Sequence, residues 1–310
     1  MTTATKSNEI VPVAALVVGY MPEMAVLDAL LLRLLEDASL VVLLDNGGAS
    51  EFLGGHPRER ERVFYSDMGG NLGLGAALNR GMSLAREAGI RYVITFDQDS
   101  APPAGMVHAL YAALCESHES GEPCAAIGPC FFDVRESEHQ CFPIYRQEGR
   151  HIRVMVPESQ SGLQQVDVLI TSGMMVDSDV WAAGVRYEEG LMVDYTDTDW
   201  CFRARAAGKT LCVHTSVRMQ HTLSDARPVR FMGLRLLRYS PLRRYYYFRN
   251  TVYFIRRSYV SGAWRRRLLA GLMVRLCSNV VLDEHRMQAL VLSLKGIWHG
   301  LQGRLGRYPS

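Results

Sequence analysis

Tyr92-Val93-Ile94-Thr95-Phe96-Asp97-Gln98-Asp99-Ser100 is an apolar run that ends in two carboxylates separated by one residue. It begins soon after Gly89 and reads as a buried strand, so the acids fall where the chain leaves the core, at the mouth of a site. Two carboxylates this close repel unless positive charge lies between them, and hard divalent cations such as Mg²⁺ or Mn²⁺ take oxygen ligands of this kind. A cation held there can carry a phosphate-bearing substrate. The same acids can also simply end a strand and cap the next helix, with Ser100 and Pro102-Pro103 as helix-start signals. Only the rest of the chain separates the two readings.

Upstream, Val13 to Val18 reads as a buried strand that must turn at Gly19-Tyr20-Met21-Pro22. Leu27 to Leu35 repeats leucine at helical spacing, and Leu40 to Leu44 is a second buried strand ending in Asp45-Asn46-Gly47-Gly48. Strand, helix, strand with acids and glycines at strand ends predicts an α/β fold with a mostly parallel sheet. Ligands of such sheets bind beyond the carboxyl ends of the strands, where Tyr20, Asp45 and Asp97 all fall. An aromatic ring and a carboxylate there can stack on a nucleobase and bond its edge or sugar; equally, Tyr20 can pack the rim and Asp45 make an Asx turn. Val63-Phe64-Tyr65 is a short third strand, followed by a glycine-rich segment from Asn71 to Gly81 that includes Asn79. That segment is not a P-loop, since no Gly-Lys-Ser/Thr follows, nor a dinucleotide fingerprint, since it follows a third strand.

Downstream, a helix is expected from Ala104 to Cys115 and a core strand at Ala125-Pro129. Residues 131 to 165 are polar and irregular, with Ile152, Val154 and Val156 alternating like an edge strand. Leu169 to Val176 returns to the core, and its Ser172-Gly173 step lets backbone approach a substrate. In Asp194-Tyr195-Thr196-Asp197-Thr198-Asp199-Trp200 a helix begins near Asp197. A carboxylate there feels the positive helix end and is expected to stay ionised, as a general base must. Asp199 is placed to pair with Arg203 four residues on. Val217 to His221 is a last short strand, and its histidine can be either a rim residue or a ligand.

The order of these stretches, over residues 13 to about 257, resembles the inverting family-two glycosyltransferases of GT-A fold. That family has a strand leading to tyrosine and proline (Tyr20, Pro22), a strand ending Asp-Asn (Asp45-Asn46), the Asn71 to Gly81 segment, and then metal-site acids. Asp97-Gln98-Asp99, Thr171-Ser172-Gly173, Asp194 to Trp200 and Ser240 to Asn250 are similar to its rhamnosyltransferase branch. The resemblance implies a GT-A nucleotide-sugar-binding domain that transfers L-rhamnose from dTDP-L-rhamnose, with Mg²⁺ or Mn²⁺ as cofactor. Tyr20 and Asp45 would meet the base, with Asn71, Asn79 and Asp97 near the ribose and diphosphate. Arg243, Arg244 and Arg249 would close over the diphosphate. Asp99, with Asp97 and His221, would hold the metal, and Asp197 would be the catalytic base. Asp199, Trp200, Ser172 and Gly173 would have structural or secondary roles. Thr196 stands where the family has glutamate, and Ser224 where its His-x-x-Gly has glycine. A sugar nucleotidyltransferase, or a non-catalytic membrane- or polyanion-binding protein on the same fold, is the alternative.

Across its 310 residues a formal charge of +2 hides a segregation. Residues 1–226 hold 17 Lys and Arg against 30 Asp and Glu, and residues 227–310 hold 17 against 2. A net −13 part joined to a net +15 part predicts two working surfaces, the second meeting something anionic. Hydrophobic content of 48% and charged content of 21% exclude wholesale disorder. The seven cysteines show no Cys-x-x-Cys or metal spacing and read as reduced thiols of a cytoplasmic protein. The run from Val11 to Val18 lacks a basic n-region, so it reads as a strand and not a signal sequence, and no stretch is long enough to span a bilayer.

The expected organisation is a tail (1–12), a GT-A catalytic domain (13–240) and a basic helical segment (241–310). That last segment should form helices at Tyr245–Tyr259, Trp264–Val281 and His285–Leu301. The first two suit a bilayer interface, on the inner face of the cytoplasmic membrane, where a glycolipid, lipopolysaccharide or lipid-linked saccharide acceptor would be met. The plainer reading is a helical cap with a solvated basic face. No nucleic-acid-binding fold accompanies the charge, and no nucleic acid partner is expected.

Overall fold

Val11–Gly19 forms strand β1, whose alternate side chains face opposite ways and feed two separate cores. Ala14 and Leu16 face one side; Val13, Ala15 and Val17 face the other. The computed structural model describes residues 10–50, 62–133, 140–221, 226–231, 234–238, 240–282 and 286–309. After β1 come α1 (Met24–Asp37), β2 (Ala38–Asp45), β3 (Val63–Asp67), α2 (Leu74–Glu87), β4 (Tyr92–Asp97), α3 (Met106–Glu119) and β5 (Cys124–Phe132). A hairpin of β6 (Ile144–Glu148) and β7 (His151–Met155) follows, then β8 (Leu163–Gln165), β9 (Met174–Asp177), α4 (Ser178–Ala182), α5 (Thr196–Ala206) and β10 (Thr210–Gln220). A second hairpin, β11 (Ala226–Phe231) and β12 (Leu234–Arg238), leads to α6 (Pro241–Ile255), α7 (Gly262–Leu282) and α8 (Arg286–Gln302).

The main sheet has the order β3-β2-β1-β4-β9-β5-β10-β8. Helices α1 and α3 bury Leu27, Leu31, Leu34, Leu110 and Leu114 against one face. Helix α2 buries Leu78 and Met82 against the other, beside Trp200 and Ala204 of α5. The result is a three-layer α/β/α arrangement, as the strand-helix alternation predicts. Pairing is parallel among β3, β2, β1 and β4, and between β5 and β10. The four-residue β9, wholly buried, runs antiparallel between β4 and β5, and β8 runs antiparallel at the edge. With β1, β2 and β4 side by side, Tyr20, Asn46 and Asp97 emerge together at their carboxyl ends.

The first helix of the basic segment, α6, lies inside the protein: Tyr245, Phe248, Arg249, Asn250 and Phe254 are buried. That corrects the expectation that this helix lies in a bilayer interface. α8 meets α6 through small residues. A Cβ on Gly296 would lie 2.6 Å from the Tyr245 carbonyl oxygen, and one on Gly300 2.5 Å from that of Arg249, so the two backbones approach as closely as hydrogen allows. Among the described residues no helix is long and apolar enough to cross a membrane.

Candidate active site

Two adjoining cavities open at the carboxyl ends of β1, β2 and β4, of about 690 and 680 Å³. Asp97, Arg243, Leu74 and Val193 line both, so the first acid of the Asp-Gln-Asp triplet stands on the shared wall.

The first cavity has Tyr20 at its rim, half exposed, with Gly47 beneath the ring. The Tyr20 amide donates to Gln98 Oε1 at 2.6 Å, which ties the β1 turn to the middle of the triplet. Asn46 and Asn71 line the wall and bond each other: Asn46 Nδ2 donates to Asn71 Oδ1 at 3.1 Å. Arg243 and Arg307 add two guanidiniums. Arg307 lies far from every motif in sequence. The segment after α8 carries it there, tied down by Gly306 N to Gly190 O at 2.7 Å and Tyr308 N to the Tyr246 hydroxyl at 2.8 Å.

The second cavity gathers Asp97, Asp99, Asp194, Asp197, His221 and Arg243, with Tyr145, Tyr195 and Tyr247 around them. Asp97 ends β4, braced where its amide donates to Ser172 Oγ at 3.3 Å, while Ser172 in turn bonds Ser100. Burial, then the charge of Asp99, pushes the Asp97 carboxyl up to about 6, against the pull of Arg243. Asp197 sits in the first turn of α5 and accepts from Thr198 N at 2.6 Å and Thr171 N at 3.2 Å. Burial raises its pKa despite these bonds, and the charge of Asp97 adds to the rise. The helix end therefore does not hold Asp197 at an ordinary carboxylate value, because desolvation outweighs it. His221 lies against the Phe131 ring, centroids 5.3 Å apart, and burial lowers its pKa.

The chain entering α5 is strained. Met192, Asp194 and Tyr195 have φ of 67°, 53° and 69°, a region costing non-glycine residues about 1 kcal/mol or more each. It is held from outside: Asn250 Nδ2 donates to the carbonyls of Leu191, Val193 and Asp194, and Arg249 to those of Gly190, Leu191 and Gly306. Asp194 in turn grips Arg243, 3.0 Å from Nη2.

These contacts place the other candidate residues: Asp199, Trp200, Ser172 and Gly173 in the supporting positions expected of them, the rest away from the roles expected. Arg249 is fully buried and lines neither cavity; its guanidinium serves three carbonyls and Asn250 Oδ1. Asn79 is likewise spent, donating to Tyr187 O and Glu189 and accepting from Trp181 Nε1 and Tyr187 N. Asp45 is buried: Oδ1 accepts from Gly47 N and Ala49 N, and Oδ2 from the Tyr65 hydroxyl, so its neighbour Asn46 is the residue at the cavity wall. Arg244 is half-buried on the first turn of α6 and lines neither cavity. Ser172 and Gly173 support β4 from behind, and Thr171 is the member of that triplet in the cavity wall. Asp199 is buried between Arg203, at 2.7 Å, and the Tyr259 hydroxyl, and Trp200 is buried with Nε1 donating to Val185 O. Arg307, Gln98 and Asn46 are cavity residues to which the motifs of the sequence assign no role.

The resemblance read from the sequence implies a divalent metal. Among the described residues no group of three or more His, Cys, Asp or Glu is gathered to cage an ion. Asp97 and Asp99 nevertheless face one cavity, where the charge of Asp99 adds to the rise that burial gives the Asp97 carboxyl. Two hard oxygen donors in an open site suit Mg²⁺ or Mn²⁺, which complete their shells with water and phosphate oxygens.

The family model "Glycosyl transferase family 2" matches residues 25–160. Over 292 residues the chain is 26% identical to the dTDP-rhamnosyl transferase RfbF of Shigella flexneri, covering 94% of this chain and 96% of that one. Among solved structures, residues 1–349 of S. aureus TarS in complex with UDP-GlcNAc superpose with a TM-score of 0.57 at 13% identity, over 93% of this chain and 81% of that one. GalNAc-T7 with UDP, GalNAc and Mn²⁺ gives 0.52 at 11% identity, over 95% of this chain and 56% of that one. The matched domain, the near full-length relative and the shared architecture mark this chain as similar to the family 2 glycosyltransferases, with the GT-A fold of these solved structures.

Proposed function

We propose that the protein is a metal-dependent inverting rhamnosyltransferase that uses dTDP-L-rhamnose. The observation that carries this reading is the junction of the two cavities at Asp97 and Arg243, with Asp197 on the far side. The first cavity takes the nucleotide, its base against Tyr20 and its diphosphate near Arg243 and Arg307. Asn46 and Asn71 supply amide groups for the base or ribose. Asp97 and Asp99 would hold Mg²⁺ or Mn²⁺, with His221 beside them, and a bound ion would neutralise charge on the leaving diphosphate. Asp197 takes the proton from the acceptor hydroxyl as that oxygen attacks the anomeric carbon from the face opposite the diphosphate. One such displacement converts a β-linked donor to an α-L-rhamnoside. The similarity to the Shigella flexneri rhamnosyl transferase supports the choice of donor.

The acceptor is a glycolipid, lipopolysaccharide or lipid-linked saccharide, met at the cytoplasmic face of a membrane by the basic segment. On this reading residues 241–310 are a helical extension of a catalytic domain at 13–240. The test is a product assay with radiolabelled dTDP-L-rhamnose, Mg²⁺ and a membrane extract. The expected products are an α-linked rhamnolipid and dTDP; release of free rhamnose alone, or no consumption of donor, would overturn the proposal.

Two further outcomes follow. Arg307→Ala is expected to raise the donor KM roughly tenfold, the worth of one charge-assisted hydrogen bond, with kcat little changed. Unaltered KM would remove Arg307 from the diphosphate. Because a base must be unprotonated and burial raises the Asp197 pKa, kcat should rise with pH along a limb centred above the ordinary aspartate value of about 3.9. A rate constant down to that value would contradict the assignment.

A further inference from the structure

The outward face of α8 is apolar where a surface helix is normally polar. Met287, Val291, Leu294, Trp298 and Leu301 are all exposed and are spaced alternately by four and three residues, which places them in one stripe. Met287 is 71% exposed and Trp298 58%. Helix α7 packs beside α8 and adds exposed Leu269 and Met273. The stripe cannot be turned inward: the face toward α6 is Ala289, Ser293, Gly296 and Gly300, and the space against the Tyr245 and Arg249 carbonyls admits only hydrogen. The same α8 therefore has a small-residue face fixed on the enzyme and a large apolar face left outside.

The surroundings of the stripe select its partner. Residues 227–310 carry a net charge of +15, and Arg286 and Arg304 stand exposed near the two ends of α8. A second copy seated on this face would bring two such segments together, whereas anionic headgroups neutralise them. Tryptophan among aliphatics with arginines at the margins is the composition of a helix lying in a bilayer interface.

We propose that the α8 stripe docks the enzyme on an anionic membrane surface, with Trp298 and its apolar neighbours among the acyl chains. This deepens the reading of a membrane-borne acceptor, on which it rests, and it moves the contact from the helices expected by sequence to the last one. The other tryptophans, Trp181, Trp200 and Trp264, are buried, so a change in tryptophan emission on contact with lipid reports Trp298.

The experiment uses the full chain with vesicles of equal parts phosphatidylglycerol and phosphatidylcholine, at low and high salt, and compares L294Q/W298Q. Both positions are exposed and line neither cavity, so melting temperature and donor binding of the variant serve as folding controls. Expected are cosedimentation at low salt, a blue shift of emission, and at least about a tenfold loss of vesicle partitioning in the variant. Vesicle binding by both proteins alike, or binding without a blue shift, would overturn the stripe as the docking face while leaving a membrane acceptor standing. No binding by the unaltered protein at low salt would overturn both. Self-association that the variant abolishes, without vesicle binding, would assign the face to a second copy and overturn the proposal.

Discussion

Replacing Asp197 with asparagine is expected to lower kcat by about 10²- to 10⁴-fold while leaving donor affinity nearly unchanged. The amide keeps the size of the side chain, and its single oxygen can keep the bond from Thr198 N at the start of α5, while the Thr171 N bond to the other carboxylate oxygen is lost. What is lost is the carboxylate proposed to accept the proton in the second cavity. Asp199 is no substitute: it is buried, and Arg203 and Tyr259 occupy its carboxylate. Asp199→Asn should therefore reduce stability before it reduces chemistry. Steady-state kinetics with donor titration of the Asp197→Asn variant checks this, and near-normal turnover would remove Asp197 as base.

Arg249→Ala is expected to destabilise the fold by about 4 kcal/mol, near the upper end for a single substitution. The change strips the hydrogen-bond donor from the carbonyls of Gly190, Leu191 and Gly306 at once, and it frees Asn250 Oδ1. Two elements of the site hang on those bonds: the positive-φ turn at Met192 to Tyr195, and the segment that brings Arg307 to the first cavity. Lysine should rescue little, because one ammonium cannot reproduce the planar fork. Denaturant unfolding measures the loss. A fully stable variant with a raised donor KM would instead return Arg249 to the diphosphate.

The contrast between Asp97 and Arg249 marks how far the sequence can be read. Asp97 closes an unbroken apolar run, and a polar group at the end of a buried strand has one place to go, so the triplet's location is legible. Arg249 lies in an aromatic helix whose faces the sequence leaves equivalent; only packing decides that its side points into the protein. The same ambiguity misplaces Asn79, which faces Trp181 and Tyr187 instead of a ligand. It also hides the role of α8, since a four-three stripe of large apolar residues has the same period facing a core or solvent. Four buried residues at Met174–Asp177 carry no mark of direction, which is why the antiparallel β9 is not foreseeable. Arg307 has no local signal at all, because only the closure of the chain over Gly190 brings it to the site.

The proposal that a nucleotide cavity with a metal-binding pair of acids meets a base-bearing cavity at Asp97 and Arg243 is tested most directly by calorimetric titration of dTDP-L-rhamnose. The titration is made with Mg²⁺ and repeated in EDTA. Saturable binding with Mg²⁺ is expected, weakened at least about tenfold by chelation and by Asp97→Ala, with UDP-GlcNAc failing to compete. Tighter binding of UDP-GlcNAc than of dTDP-L-rhamnose, or donor binding indifferent to both chelation and the loss of Asp97, would contradict it.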